Sequence, residues 1–500
     1  MTKHSFLLVL AALLAGCSAL SPQQARQAVD AVREQALVEP SVWQQLVKDH
    51  DANAPELGGW FARWNDPVLE AMQTKALEGA PGIKAALARI EQARAAQVGA
   101  NASGLPTLDL NGRLARTRNV LFPPGLLLET ASLLVDAAWE LDFYGANALR
   151  RDSAQQRLQA RVISAHEAQA SLAAEVATAH INLLSCALAV EVARRDSEVL
   201  GKSEALVESR ASAGLASATE RSASRAAVLE AANRERVQLE QCDIAFKVMA
   251  WLTRQPEAQV RSAYEPRLKL ALRQGLPSPG GMRVEPVPAR WLAQRPDLLA
   301  VEAELVAAQS EIGLAEIARY PRLALTGQVG PAWLFSNVIG NSRGTSWTVA
   351  PTLGLPLFDA GRRKAEVQAA KARYAEAAAS YTDRASAAAR EVEEALVRLQ
   401  SAQDRRARQA QILEQSLTQS RIAEQRRSVG IAPASETLDA QRAELNAHQQ
   451  VVLLDREVLL AQMTLYKALG AGWQRFAPSS GPMSVSSADR AAERSTTASK

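Results

Sequence analysis

Two hydrophobic periods alternate along this chain, and the switches between them divide it. In Thr107 to Arg118, Leu108, Leu110 and Leu114 alternate with Asp109, Asn111 and Arg113. In Ser132 to Tyr144, Val135, Ala137, Trp139, Leu141 and Phe143 alternate with Asp136, Ala138, Glu140 and Asp142. Further on, Leu323, Leu325 and Val329 alternate with Ala324, Thr326 and Gln328. Trp347, Val349, Leu353, Leu355 and Leu357 then alternate with Thr348, Thr352 and Gly354. Period two with one apolar face predicts four β-strands, joined in pairs through Asn119–Ala131 and Pro331–Gly344. After each pair the period changes. Tyr374, Ala378, Tyr381, Ala385, Ala388, Val392, Ala395 and Leu399 repeat at four-three spacing, a heptad seam whose small residues let helices approach closely. Helix is predicted from Gly145 to about Leu252 and from Gly361 to about Leu469, each run turning once at a glycine. Upstream, Asn65 or Asp66 caps a helix with Pro67 in its first turn, Pro81-Gly82 ends it, and another follows from about Ile83 to Val98.

The chain contains its turns twice. Ser209 to Arg221 and Gln425 to Thr437 share six of thirteen positions at an offset of 216 residues, among them Gly214/Gly430 and Glu220/Glu436. Phe143-Tyr144-Gly145 pairs in the same register with Asp359-Ala360-Gly361. Such self-similarity has to be recognised before any fold is assigned. It divides the chain into a segment 1–16, an arm 17–65 read as irregular, a first repeat 66–253, a linker 254–296, a second repeat 297–473 and a tail 474–500 rich in Ser, Ala and charge, read as disordered. The linker carries seven prolines and is read as the least regular part. At 1.5 Å per residue, a hairpin arm of 69 residues reaches about 100 Å.

Four strands of ten to thirteen residues suit a membrane, where a spanning strand needs about 9–11 residues, and equally suit a half-buried soluble sheet. In lipid four strands cannot stand alone, because an open edge leaves unsatisfied backbone groups. Two chains give eight strands and three give twelve.

Charge and motifs narrow the function. Lys and Arg number 57 against 53 Asp and Glu, a balance without the basic excess of a nucleic-acid footprint. Met1 to Gly16 reads as a signal peptide, with a basic start and an apolar run from Phe6 to Leu14. It ends at Leu14-Ala15-Gly16-Cys17. Cys186 and Cys242 each lie 28 residues from Gly214, so an antiparallel hairpin puts them at similar height, either as a disulfide or as two buried thiols. Gly340-Asn341-Ser342-Arg343-Gly344 matches G-x-S-x-G but sits in a loop leading into a strand, where a nucleophile elbow has no use. No H-E-x-x-H, phosphate loop or metal-ligand cluster is present, so no enzyme, cofactor or metal site is expected.

These stretches, taken together, resemble the outer-membrane efflux proteins of the TolC superfamily, in the OprM/NodT-like lipoprotein branch. The likeness rests on Leu14-Ala15-Gly16-Cys17, Trp139 to Gly145, Gln294-Arg295-Pro296-Asp297-Leu298 through to Tyr320-Pro321, Leu355 to Gly361, and Val429-Gly430-Ile431 with Leu438 to Arg442. The resemblance implies a mainly α chain with transmembrane β, trimerising into a 12-stranded barrel on an α-helical tunnel. It implies acylation of Cys17, with the lipid holding the chain to the outer membrane. As partners it implies two further copies, a periplasmic adaptor (membrane fusion protein) and an inner-membrane pump of the RND type, with no nucleic acid. The tips Gly214, Leu215, Val429, Gly430 and Ile431 would meet the adaptor. Asp439 and Arg442 would hold the periplasmic gate, where the first repeat has Ala223 and Ala226 and where Ser435 takes the place of an apolar constriction. The alternative reading is a periplasmic coiled-coil lipoprotein, an adaptor or tether that transports nothing.

Overall fold

The computed structural model describes residues 22–38, 64–119, 126–277, 292, 294–336 and 338–470. The readings for the signal peptide, Cys17, most of the arm and the tail lie outside these residues. In chain order the elements are α1 (Pro22–Val38), α2 (Pro67–Gly79), α3 (Pro81–Ala102), β1 (Thr107–Asn119), β2 (Leu126–Leu141), α4 (Ala146–Ser212), α5 (Ala218–Thr253), α6 (Glu257–Gln274), α7 (Pro296–Ile317), β3 (Arg322–Ser336), β4 (Ser342–Gly354), α8 (Arg362–Ser428) and α9 (Ala434–Ala468). The repeat is structural: α4 and α8 are each 67 residues long and begin and end at positions 216 apart. The glycines that precede and follow them, Gly145, Gly361, Gly214 and Gly430, all have φ between +73° and +88°, a conformation costly for any residue with a Cβ.

The four strands form one antiparallel sheet in the order β1-β2-β3-β4. Its register lines up the apolar positions. Leu110 lies opposite Val135, Val135 opposite Val329, and Val329 opposite Trp347. On the other face Asp109 meets Asp136, Asp136 meets Gln328, and Gln328 meets Thr348. Asn111 Nδ2 donates to Asp136 Oδ2 at 2.6 Å. Gly330 is obligatory here, since a Cβ would lie 2.1 Å from the Leu133 carbonyl oxygen. Beside it Pro331 has no N–H for the ladder, and the β2–β3 pairing lapses at Leu133 and Leu134.

Several boundaries differ from the sequence expectations. β2 begins at Leu126 and ends at Leu141, so the expected loop Asn119–Ala131 is partly strand and Phe143 lies outside the sheet. Pro331–Gly344 is likewise strand at both ends. Leu127, Leu128 and Leu334 break strict alternation, which is why counting alternation placed these strands short. The linker is not irregular throughout: α6 runs through Pro266, its missing hydrogen bond offset by the burial of Val260, Tyr264 and Ala271 along one face. The arm holds α1, an Ala/Gln/Arg/Glu helix with Pro22 in its first turn.

The chain packs as two compact units that cut across the repeats: Met1–Ser41, Ala86–Ser164 and Asp297–Ala387 in one, Val42–Ala85, Ala165–Pro296 and Ala388–Lys500 in the other. In the first, α1 lies on α4, α7 and α8: Arg26 pairs with Asp152 at 3.4 Å, Arg33 with Glu302 at 3.4 Å, and Tyr374 Oη donates to the Ala28 carbonyl at 3.4 Å. The second has a core of Leu69 and Met72 (α2), Ile181 and Leu183 (α4), Phe246 and Met249 (α5), Tyr264 (α6) and Met463 and Tyr466 (α9). Its polar centre is Asp66, which caps α2 by accepting from the Val68 and Leu69 amides at 3.0 and 3.2 Å. Arg267 Nε donates to the same carboxylate at 2.5 Å, and His180 Nε2 lies 3.2 Å from it. His180 Nδ1 is 3.0 Å from the Tyr264 hydroxyl. α4 contains a stretch long and apolar enough to cross a membrane, but 67% of it is buried within the protein, as in a core helix.

Candidate functional site

The apolar face of the sheet is bare. Leu108, Leu110 and Leu114 are 73%, 66% and 86% exposed, and Trp347, Val349 and Leu353 are 72%, 65% and 68% exposed. A soluble protein rarely leaves so much contiguous apolar surface in water. Among the described residues β1 and β4 each have a strand on one side only, so both sheet edges offer free backbone donors and acceptors.

At the turns of the helical hairpins the two tips close alike. Leu215 N donates to the Arg210 carbonyl at 2.8 Å, and Ile431 N to the Arg426 carbonyl at 2.9 Å. Both bonds depend on the left-handed glycine between. This leaves Leu215, Val429 and Ile431 at 69%, 68% and 69% exposure. The tips then diverge. Ser217 caps α5 in a reciprocal box with Glu220, Ser217 N to Glu220 Oε2 at 2.7 Å and Glu220 N to Ser217 Oγ at 3.1 Å. The equivalent of Ser217 is Pro433, which has no hydroxyl, and Glu436 turns to Arg426 at 2.7 Å instead.

Asp439 and Arg442 lie one turn apart on α9 but do not pair within the chain. Asp439 is exposed and has no hydrogen bond or ion pair among the described residues. Arg442 is half-buried, with Nε 3.7 Å from Asp196 Oδ1 on α4. The other oxygen of Asp196 accepts from Arg234 Nη2 on α5 at 2.7 Å. One carboxylate of the first hairpin thus holds a guanidinium from each hairpin. Sequence reasoning missed Asp196 and Arg234. The repeat gave no hint of them, because Asp196 aligns with Ile412 and Arg234 with Gln450. Ser435 is exposed beside the second tip.

Cys186 and Cys242 are joined as a disulfide across α4 and α5, with Cα atoms 5.4 Å apart, ten and eight residues from Asp196 and Arg234. Ser342 opens β4 straight after a turn from β3, so the G-x-S-x-G stretch forms no strand-to-helix elbow. Among the described residues no group of His, Cys, Asp and Glu is placed to hold a metal ion.

Comparison with known proteins follows the same architecture. A family model described as outer membrane efflux protein matches residues 73–246 and 287–471. Pyoverdine export outer membrane protein OpmQ of Pseudomonas aeruginosa is 27% identical over 487 residues, covering 95% of this chain and 98% of its own. Outer membrane protein OprJ of the same species is 27% identical over 470 residues, covering 93% and 95%. In fold, the outer-membrane channel OprN is similar with a TM-score of 0.74 at 24% identity, over 87% of this chain and 96% of its own.

Proposed function

The chain belongs to the outer membrane efflux protein family, and from that premise we infer that it is the outer-membrane exit duct of a tripartite efflux system. The observation that carries this reading is the four-stranded sheet with its bare apolar face and two open edges. Three copies, joining β4 of one to β1 of the next, close a twelve-stranded barrel in which lipid covers the apolar face and no edge is left. The helical hairpins of the three copies continue it as a tunnel into the periplasm. An inner-membrane pump of the RND type loads the duct through a periplasmic adaptor. The adaptor's hairpins dock on Gly214 and Leu215 at one tip and on Val429, Gly430 and Ile431 at the other, where exposed apolar side chains surround a fixed backbone turn. Acyl chains on Cys17 add an anchor, at roughly 0.8 kcal/mol per buried methylene.

Asp439 and Arg442 form the gate. Arg442 is held inside its own protomer by Asp196, and Asp439 is free to meet a neighbour. A coiled-coil tether accounts for the hairpins but leaves a large apolar sheet in water. Native mass spectrometry of the protein extracted from outer membranes tests the reading: a lipidated species of three chains is expected. A monomer, under conditions shown to preserve complexes, would return the tether.

A further inference from the structure

We propose that an arginine-lined groove in the duct wall is a transit subsite for organic anions bearing carboxylate or phosphate groups; the proposal rests on the duct reading. The groove encloses about 790 Å³ between α3, α4 and α7, and Arg89, Arg150, Arg157, Arg161 and Glu311 supply its charge. Its α3 residues, Arg89 to Ala100, precede β1 by 7 to 18 residues, and its α4 residues, Arg150 to Arg161, follow β2 by 9 to 20.

Its charges do not cancel. Arg157 pairs with Glu311 and lies 4.0 Å from Glu304, Arg161 pairs with Glu304 at 3.2 Å, and Arg373 lies 3.5 Å from Glu311. Three guanidiniums thus share two carboxylates. Among the described residues Arg150 donates only to neutral oxygens, Ser103 Oγ at 3.2 Å and Asn147 Oδ1 at 2.7 Å. Arg89 has no hydrogen bond or ion pair among the described residues. Small residues keep the space between them open, and a Cβ built at Gly99 meets nothing within 4 Å. Guanidinium forks match the planar oxygens of carboxylate and phosphate, and a charged cleft with low-dielectric walls concentrates counter-ions.

The groove faces the lumen. α1 begins five residues after Cys17 and covers the side of the wall that presents Asp152, Glu302 and Tyr374. Acyl chains must enter the bilayer outside the barrel, so that side is the outer one. On α4, Arg150, Arg157 and Arg161 share a stripe about half a turn around from Asp152, and on α7 Glu304 and Glu311 lie about half a turn around from Glu302. The arginines therefore project on the opposite side, into the path of solutes leaving for the barrel.

Planar-bilayer recordings of the full chain under a KCl gradient test this, comparing wild type with R89Q/R150Q and R89K/R150K. Both positions are exposed and outside the ion pairs above. The glutamine variant should conduct, with its reversal potential shifted toward that of K⁺ and the cation-to-anion permeability ratio raised several-fold. Citrate, a tricarboxylate, should reduce wild-type current and act several-fold less on R89Q/R150Q. The lysine variant, with its charges kept, should retain the wild-type reversal potential. Equal reversal potentials or equal citrate block in a conducting wild type and glutamine variant would overturn the subsite and leave the duct standing. A full chain that carries no current even with Asp439 and Arg442 both replaced by Ala would take both down.

Discussion

Asp66 shows how one buried carboxylate can organise several elements. Its side chain is only 2% exposed. Burial by itself would raise its pKa, but His180, Arg267 and the Leu69 amide outweigh that and hold the carboxyl far below the ordinary range. A carboxyl whose pKa is depressed by folding contributes stability that is complete above its unfolded value, about 4, and is lost as pH falls toward the folded value. Asp66→Asn strands Arg267 without its partner and should cost about 3 kcal/mol at neutral pH. Thermal unfolding in detergent, followed by circular dichroism, should show a lower midpoint at pH 7 and a shallower decline below pH ~4 than wild type. An unchanged midpoint at pH 7 would mean the network is not stabilising. The neighbouring Tyr264 hydroxyl is pushed well above its usual pKa by burial and by the Asp66 charge, so it stays a neutral partner of His180.

The proposed gate is also tested at the scale of single residues. If Asp439 and Arg442 hold the mouth shut, replacing both with Ala should raise the closed-state conductance in planar bilayers. Asp196→Asn keeps both gate residues but weakens the charge that holds Arg442. It should raise conductance as well. A leaky double variant beside a tight Asp196→Asn would place the closing contacts between chains rather than at Asp196. Asp439 and Arg442 were singled out through the family resemblance of Leu438 to Arg442, not through any pattern of charge along the chain. Asp196 was not, because it lies far away along the chain and only the packing of α4 against α9 brings it to Arg442.

Among elements, the two hairpins share a plan and differ in how they are fastened. The first carries the Cys186–Cys242 disulfide. At the equivalent places the second has Ala402 and Val458. The first also has the capping box at its tip, where the second has Pro433. Closing a loop across 56 residues restricts the unfolded chain, worth up to about 4 kcal/mol in the chain-entropy account. Cys186→Ser with Cys242→Ser should therefore lower the unfolding midpoint while leaving trimers intact. Maleimide labelling of unfolded, unreduced protein should find neither thiol; two reactive thiols would remove the bond from the account. The boundaries were less legible than the hairpins. Helical periodicity sustained over 67 residues averages out local exceptions. A strand of 13 to 16 residues does not, and Leu127-Leu128 disguised the start of β2. α6 was hidden by its proline and by the dense prolines that follow it, although Val260, Tyr264 and Ala271 carry a helical spacing.

For the whole molecule, the question is what covers the sheet. Lipid and water give opposite predictions at Leu110, which is 66% exposed on the apolar face. Leu110→Arg should cost about 2–4 kcal/mol near the bilayer midplane and almost nothing on a wet soluble sheet. The fraction of chain recovered as trimer from outer membranes should fall sharply. Undiminished recovery would put that face in water and undo the barrel.

Local periodicity and self-similarity can be read from the chain before it folds. These are the four strands with an apolar face, the long helical pairs, the repeat at an offset of 216 and the glycines at its turns. Each follows from steric and hydration rules that act over a few residues. Which charges meet was settled by the packing of distant segments. Asp196 came together with Arg234 and Arg442, Asp66 with His180 and Arg267, and Arg89 and Arg150 line a groove with no carboxylate partner of their own among the described residues. Such pairings depend on the relative rotation and height of packed helices. Those are set by the sum of many apolar contacts along the seams, and no single stretch of sequence records that sum.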